Sequence, residues 1–293
     1  MLEEIPLLDE LDHDILMHKK VHFGDHFETM IEEYSLEKRS AVLDVSLERI
    51  KELQRIEEAL DVDLVEIILN DFEKEKMHCA LESYRQLTSF YSDEKRNFLA
   101  PRLIADLILS EEDPSKEIEA ICRHKEDCYP LLMALIKSPD FYDPLFPGYG
   151  LAPEEAVRCL GLMKEDKAIP ALFEALGQSL FADEAIISAL THMQETAGPF
   201  LLRKMTSRPI NHENEKAIMV LLNFSLTPAL SSSIFEFLRN HQEGWSLSFV
   251  QYLIMGCEAL PKNMWPIFKE FFLTLPYRAE WQEEANSLYR IWK

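Results

Sequence analysis

A proline returns along this chain in one fixed frame, and no other feature limits the possible folds as much. Pro170 is followed by Leu172 and Leu176, Pro199 by Leu201 and Met205, and Pro228 by Leu230 and Ile234. The frame stands earlier at Pro101 with Leu103 and Leu107, and at Pro130 with Leu132 and Ile136. A looser copy closes the series at Pro266 with Phe268 and Phe272. The successive spacings are 29, 40, 29, 29 and 38 residues. Proline is at home in the first turn of a helix, where its missing N–H has no partner in any case, and it drives the preceding residue toward extended geometry. The two apolar positions are four apart and share one helical face. Each proline is therefore expected to open a short amphipathic helix after a tight turn.

A second helix precedes each of the central prolines. Pro153, Glu154 and Glu155 open one that carries Val157, Leu160 and Met163. Asp183 and Glu184 open the next, with Ile186, Leu190 and Met193, and Glu215 opens a third, with Ile218, Leu221 and Leu222. The unit is thus a helix, a turn and a proline-started helix. One such pair cannot bury its apolar face alone, so the pairs must stack. With only 8 glycines and no sustained alternation of apolar and polar positions, the whole chain reads as all-α.

The stretch EEAVRCLGLMKEDKAIPALFEALG, residues 154–177, resembles a short HEAT repeat. The resemblance is specific over 150–205, looser over 95–137 and 211–275, and absent before about residue 90. It implies that Asp166 closes the inter-helix turn and Pro170 starts the second helix. It also implies a right-handed α-solenoid of HEAT-like hairpins over 93–293, with an extra acidic helical region at 1–92. The polar run Ser231, Ser232, Ser233 departs from the pattern and predicts an exposed or irregular repeat. HEAT arrays are mostly protein-binding scaffolds, although members resembling phycobilin lyases or DNA glycosylases are enzymes, so fold does not settle function.

The 40-residue interval contains PDFYDPLFPGYG, residues 139–150, with three prolines, two glycines and four aromatics. Proline and glycine exclude regular helix and strand here. Phe141, Tyr142, Phe146 and Tyr149 are residue types that anchor partners. The competing reading is an inward plug, in which these aromatics seal a joint between two halves of the array, as most aromatic side chains are buried.

Residues 1–90 lack the proline frame. Leu8, Leu11 and Ile15 make one helical stripe, and Gly24 then breaks the chain. Asp25 and Glu28 read as a capping box for a helix bearing Phe27, Met30, Ile31 and Tyr34. A longer helix carries Ile50, Leu53, Ile56 and Leu60. These faces must dock on the array or on a second chain. His18 and His22 are four apart, as two ligands on one helix face would be. They continue the apolar stripe, however, and the break at Gly24 puts His26 on another helix. The expectation is two partly buried, hydrogen-bonded histidines and no metal. Cys122, His124 and Cys128 match no common zinc spacing. At the other end, Trp281, Ala285, Leu288 and Trp292 share one face of a segment at 277–293, which reads as a capping helix, with a dimer interface as the alternative.

The formal net charge is −22, and residues 1–76 alone hold 22 acids against 9 bases. Such a surface repels phosphate and suits a basic protein partner rather than nucleic acid. No stretch reaches the roughly 18 apolar residues of a membrane span. The acidic start MLEEIPLLDELDHD lacks the charge pattern of an export signal, and the five cysteines are irregularly spaced, so a cytoplasmic protein without disulfides is expected. Phosphate-loop, dinucleotide and nucleophile-elbow motifs are missing, so no catalytic residue, cofactor or metal is assigned. The sequence therefore reads as a non-enzymatic protein-binding scaffold, monomer or dimer. Its partner-facing positions are Arg102, Glu174, Arg203, Lys204 and Lys269 on the proline-started helices, with the aromatic segment at one rim. The alternative is a HEAT-type lyase or isomerase acting on a small molecule or chromophore in the concave groove.

Overall fold

Asp9 starts the first helix through a reciprocal capping box. It accepts from the Asp12 N–H at 3.1 Å, and the Asp12 carboxylate accepts from the Asp9 N–H at 3.1 Å. Helix α1 then runs Glu10–His22, followed by α2 (Phe27–Ser35), α3 (Leu47–Leu60), α4 (Leu64–Ile68) and α5 (Asp71–Ser89). The computed structural model describes residues 9–38, 41–91, 99–110, 113–178, 180–240, 245–275 and 278–292, and among these it is helical with no strand. The expected boundary at residues 92 and 93 lies outside the described residues, as does Leu8.

The remaining helices are α6 (Leu99–Ile108), α7 (Ser115–Arg123), α8 (Lys125–Lys137), α9 (Ala152–Met163), α10 (Ile169–Ala175), α11 (Leu180–His192), α12 (Gln194–Thr206), α13 (His212–Leu221), α14 (Pro228–Arg239), α15 (Leu247–Met255), α16 (Trp265–Thr274) and α17 (Gln282–Ile291). Short 3-10 turns stand at Pro139–Tyr142, Asp166–Ala168, Lys262–Met264 and Arg278–Trp281. The chain divides into two compact units, Met1–Met163 with Pro170–Ile186, and Lys164–Ile169 with Ile187–Lys293. No described helix is long and apolar enough to cross a membrane.

The prolines mark helices, but not always their first turn. Pro228 is the first residue of α14, and Pro170 and Pro266 are the second residues of α10 and α16. Pro130 and Pro199 lie deeper, because α8 already begins at Lys125 and α12 at Gln194. A single residue, His124 or Met193, joins each of these helices to the one before, so the turn precedes the proline by about a helical turn and a half. The cost is one missing bond, to the carbonyl of Glu126 or Glu195. Both are exposed residues, whose carbonyls water can serve.

Three local expectations change. Asp25 does not cap α2. The N-cap residue is His26, without a side-chain cap, and the Asp25 carboxylate turns back to Lys19, at 3.0 Å, and to Lys20. The serine run is a regular helix: Ser231 is fully buried, donates to the Gly256 carbonyl at 2.8 Å and accepts from the Ala259 N–H at 3.2 Å. A side chain at Gly256 would meet Ile234 at 2.9 Å, so small residues on both sides let α14 and α15 approach closely. Finally, α1 is not a one-sided helix, since Ile15, Leu16, Met17, His18, Lys19 and Val21 are all buried.

Buried Lys19 shows how that helix is held. Its ammonium donates to Glu57 at 2.9 and 3.0 Å, pairs with Asp25 and lies 4.7 Å from the Phe27 ring centre. Asp12, 1% exposed, takes both arms of Arg49 at 2.7 and 2.6 Å. Burial alone would raise the Asp12 pKa, but the Arg49 bonds and the Asp9 N–H overcome it and hold it below the usual value. In the second unit, the stripe Trp281, Ala285, Leu288 and Trp292 is buried, and α17 packs on α15. The indole N–H groups of Trp281 and Trp292 donate to the carbonyls of Leu247 and Glu258 at 3.0 and 2.7 Å.

Candidate functional site

The segment 139–150 turns inward. Leu145 and Phe146 are 1% and 5% exposed and belong to the same apolar core as Ile15, Phe27, Ile50 and Met77. Phe141, Tyr142 and Tyr149 are half-buried, and the Tyr142 hydroxyl donates to the Ile136 carbonyl at 2.9 Å. The joint that this segment fills is the one with the N-terminal helices. Gly148 makes the fold-back possible: its φ is 86°, and a Cβ there would stand 3.2 Å from the Ile108 carbonyl oxygen.

His22 ties the segment down. Its Nε2 lies 3.0 Å from the Pro144 carbonyl, which only accepts, so Nε2 carries the proton. Nδ1, at 2.9 Å from the Tyr84 hydroxyl, is then the acceptor. The ring also lies 4.7 Å from that of Tyr149, which is hydrogen-bonded to Tyr84. Burial outweighs the Pro144 bond and drives the His22 pKa down to about 4. Tyr84 is pushed up by burial and by Tyr149. One chain of contacts thus joins α1, α5 and the 139–150 segment, at Pro144 and Tyr149.

One turn earlier on α1 the situation differs. The His18 ring is tilted at 49° to that of His22, with centres 4.9 Å apart, and is 3% exposed, yet its Nδ1 has no hydrogen-bond partner among the described residues. Burial, helped by His22 and Lys76, holds the ring neutral, with a pKa well below the ordinary histidine value. His18 and Asp14 line a cleft of about 460 Å³ together with Lys76, Tyr142, Asp143 and Pro144. Lys76 pairs with Asp143 at 2.5 Å, and the other oxygen of Asp143 accepts from the Leu145 N–H at 3.0 Å. Asp14 is pushed above the usual carboxylate pKa, first by burial and then by Asp143 and Glu73, against the pull of Lys76 and His13. Among the described residues no three His, Cys, Asp or Glu side chains converge as a metal site would require.

The positions expected on the proline-started helices fall in both units. Arg102 is half-buried, its Nε donating to the Phe90 carbonyl at 2.7 Å, and Glu174 is exposed. In the second unit Arg203 is exposed, Lys204 pairs with Glu213 at 3.1 Å, and Lys269 lies 5.1 Å from the Tyr289 ring centre. A groove of about 530 Å³ runs between α12 and α14. Pro199, Leu202, Phe224 and Leu230 form its apolar floor, and Glu195 is its charged lining residue.

No protein-family model, curated protein or solved structure matches the chain.

Two groups were missed by sequence reasoning. The Asp14–His18 pair was hidden because an aspartate four residues before a histidine is ordinary helix composition; only the fold puts a cleft beside it. Asn214 was hidden inside a polar run. It is fully buried, and its amide donates to the carbonyls of Lys204, Met205 and Ser207 at 3.0, 2.8 and 2.9 Å while its oxygen accepts from the Asn211 N–H at 2.7 Å. It ends α12 and starts α13 at once. The spacing Asn211 to Asn214 was the available signal. Of the cysteines, Cys128, Cys159 and Cys257 are buried as small apolar groups, Cys122 is half-buried and Cys79 is exposed, all as free thiols.

Proposed function

We propose that the chain is a HEAT-type α-solenoid acting as a non-enzymatic protein-binding scaffold, with the α12–α14 groove as a docking surface for a basic, amphipathic segment of another protein. The observation that carries the reading is packing between helices of equal rank in successive hairpins. In the first unit α6 packs on α8 and α7 on α9; in the second, α13 packs on α15 and α15 on α17. Rings of Phe235 on α14 and Phe268 on α16 lie 5.4 Å apart, which adds the other row. Rows of like-ranked helices are what a stacked-hairpin array requires.

The groove lies between second-rank helices, where such arrays present extended surfaces to partners. Its apolar floor suits Leu- or Met-like side chains, and Glu195 on its lining favours a positively charged flank. Selection from a peptide library on the full chain should return amphipathic sequences rich in Lys and Arg. Binding should weaken by tenfold or more, corresponding to about 1.4 kcal/mol, in Leu202→Glu and Leu230→Glu, and should fall with salt. Unchanged selection by both folded variants, or a library that yields no binder, would overturn the reading.

A further inference from the structure

We propose that the cleft lined by Asp14, His18, Lys76 and Asp143 binds a primary ammonium group carried on a short apolar chain, with Asp14 taking the charge and His18 accepting a hydrogen bond. The inference is independent of the scaffold reading, which concerns the α12–α14 groove.

Charge decides the sign of the ligand. The cleft has two carboxylates and one ammonium. Lys76 is committed to Asp143 at 2.5 Å, and the second oxygen of Asp143 is committed to the Leu145 N–H. That leaves Asp14, which among the described residues has neither an ion pair nor a hydrogen bond; Lys76 and His13 attract it from a distance, Asp143 and Glu73 repel it, and burial leaves its carboxyl above the usual pKa. An unpaired, half-buried carboxylate is stabilised by a cation.

The donor requirement comes from His18. The buried His18 Nδ1, without a hydrogen-bond partner among the described residues, is a polar atom left unsatisfied, at a cost comparable to a lost hydrogen bond. His18 stands one helical turn from Asp14 on the same face of α1, and both border the cleft. A neutral imidazole offers one acceptor nitrogen. A primary ammonium has three N–H donors, enough for Asp14 and His18 together, whereas a quaternary ammonium has none. A bare metal ion is a poorer match, because no third His, Cys, Asp or Glu converges on the pair among the described residues. Leu43, Pro144 and Leu145 give the walls an apolar character for a short alkyl chain, and about 460 Å³ is the size of a small-ligand site.

The test is nuclear magnetic resonance on the full chain, following the Leu43 and Leu145 methyl signals during titration with butylammonium, butanol and tetramethylammonium. Butylammonium should produce saturable shifts, and the other two should not. Asp14→Asn, at a half-buried position that should keep the fold by circular dichroism, should weaken binding about tenfold or more. His18→Phe, which keeps the ring and removes the acceptor, should weaken it several-fold. Binding should also fall as acid protonates Asp14. Equal shifts with butanol would show an apolar pocket only, equal shifts with tetramethylammonium a diffuse electrostatic attraction only, and an unchanged affinity in folded Asp14→Asn a site elsewhere. Each of these outcomes, like the absence of any saturable shift with butylammonium, would overturn the proposal.

Discussion

Helices α1 and α14 have 13 and 12 residues, and each packs within its own unit. Helix α14 opens with Pro228 behind the cap Thr227, whose hydroxyl accepts from the Leu230 N–H at 3.2 Å, and it buries Ser231, Ile234, Phe235 and Leu238. Those positions are three, four and seven apart and make one buried face. Helix α1 buries consecutive residues from Ile15 to Lys19, one of them a lysine and one a histidine. Its position depends on partners that are distant in sequence: Glu57 for Lys19, Arg49 for Asp12, Tyr84 and Pro144 for His22. A repeated element can be held by a local rule applied again and again. A singular one needs a separate partner for each buried polar group, and each partner is a separate point of failure.

The strongest way to break the comparison is Lys19→Ala. It removes the cation between Glu57 and Asp25, and chemical denaturation should show a loss of about 3–5 kcal/mol, while hydrogen exchange should quicken in α1, α3 and the 139–150 segment. A loss near that of an ordinary surface lysine would show that α1 is held by its apolar residues alone.

Acid probes the same region without a mutation. The folded pKa of His22, about 4, lies below the ordinary value of 6.5, so as pH falls the unfolded chain takes up the proton first. The stability that His22 contributes is complete above about 6.5 and is lost as pH falls toward about 4, by roughly 3 kcal/mol in all at about 1.4 kcal/mol per tenfold change in proton affinity. His18 acts with the same sign. Denaturation midpoints measured across that window should converge for wild type and His22→Gln as pH falls; parallel lines would remove His22 as the cause.

Asn214→Ala sharpens the comparison from the other side. It removes the amide that serves the Met205 and Ser207 carbonyls and shares the Lys204 carbonyl with Ser207, and a loss of about 2–3 kcal/mol is expected. That is smaller than for Lys19 because no charge is stranded. If Asn214→Ala cost as much as Lys19→Ala, the proline-frame helices would depend on singular contacts as heavily as α1 does.

Much of the helical organisation was legible because its signals are short-range. Proline sets its own φ, an i, i+4 pair shares a face wherever it occurs, and the stripe from Trp281 to Trp292 announced its own burial. Where reading went astray, the deciding atom was remote. Asp25 had the right spacing to cap α2, yet two lysines on α1 took its carboxylate. Ser231 looked like a surface residue until the Gly256 carbonyl came within 2.8 Å. Pro130 and Pro199 marked the right helices but not their starts, because the preceding turns needed only one residue.

The sequence by itself determined an all-helical chain, the order of most of its helices, the apolar faces of the later ones and an irregular aromatic segment at 139–150, since each rests on backbone sterics or on a periodicity carried by neighbouring residues. Only the tertiary structure decided that the aromatic segment closes over α1, that Lys19 and Asp12 are buried as paired charges, and that the Asp14 carboxylate and the His18 Nδ1 stand at a cleft without hydrogen-bond partners among the described residues. Those outcomes depend on which groups meet across gaps of tens to more than a hundred residues, from Asp12 to Arg49 and from His22 to Pro144. The energy of a buried charge or imidazole is set by those meetings and not by its neighbours in the chain.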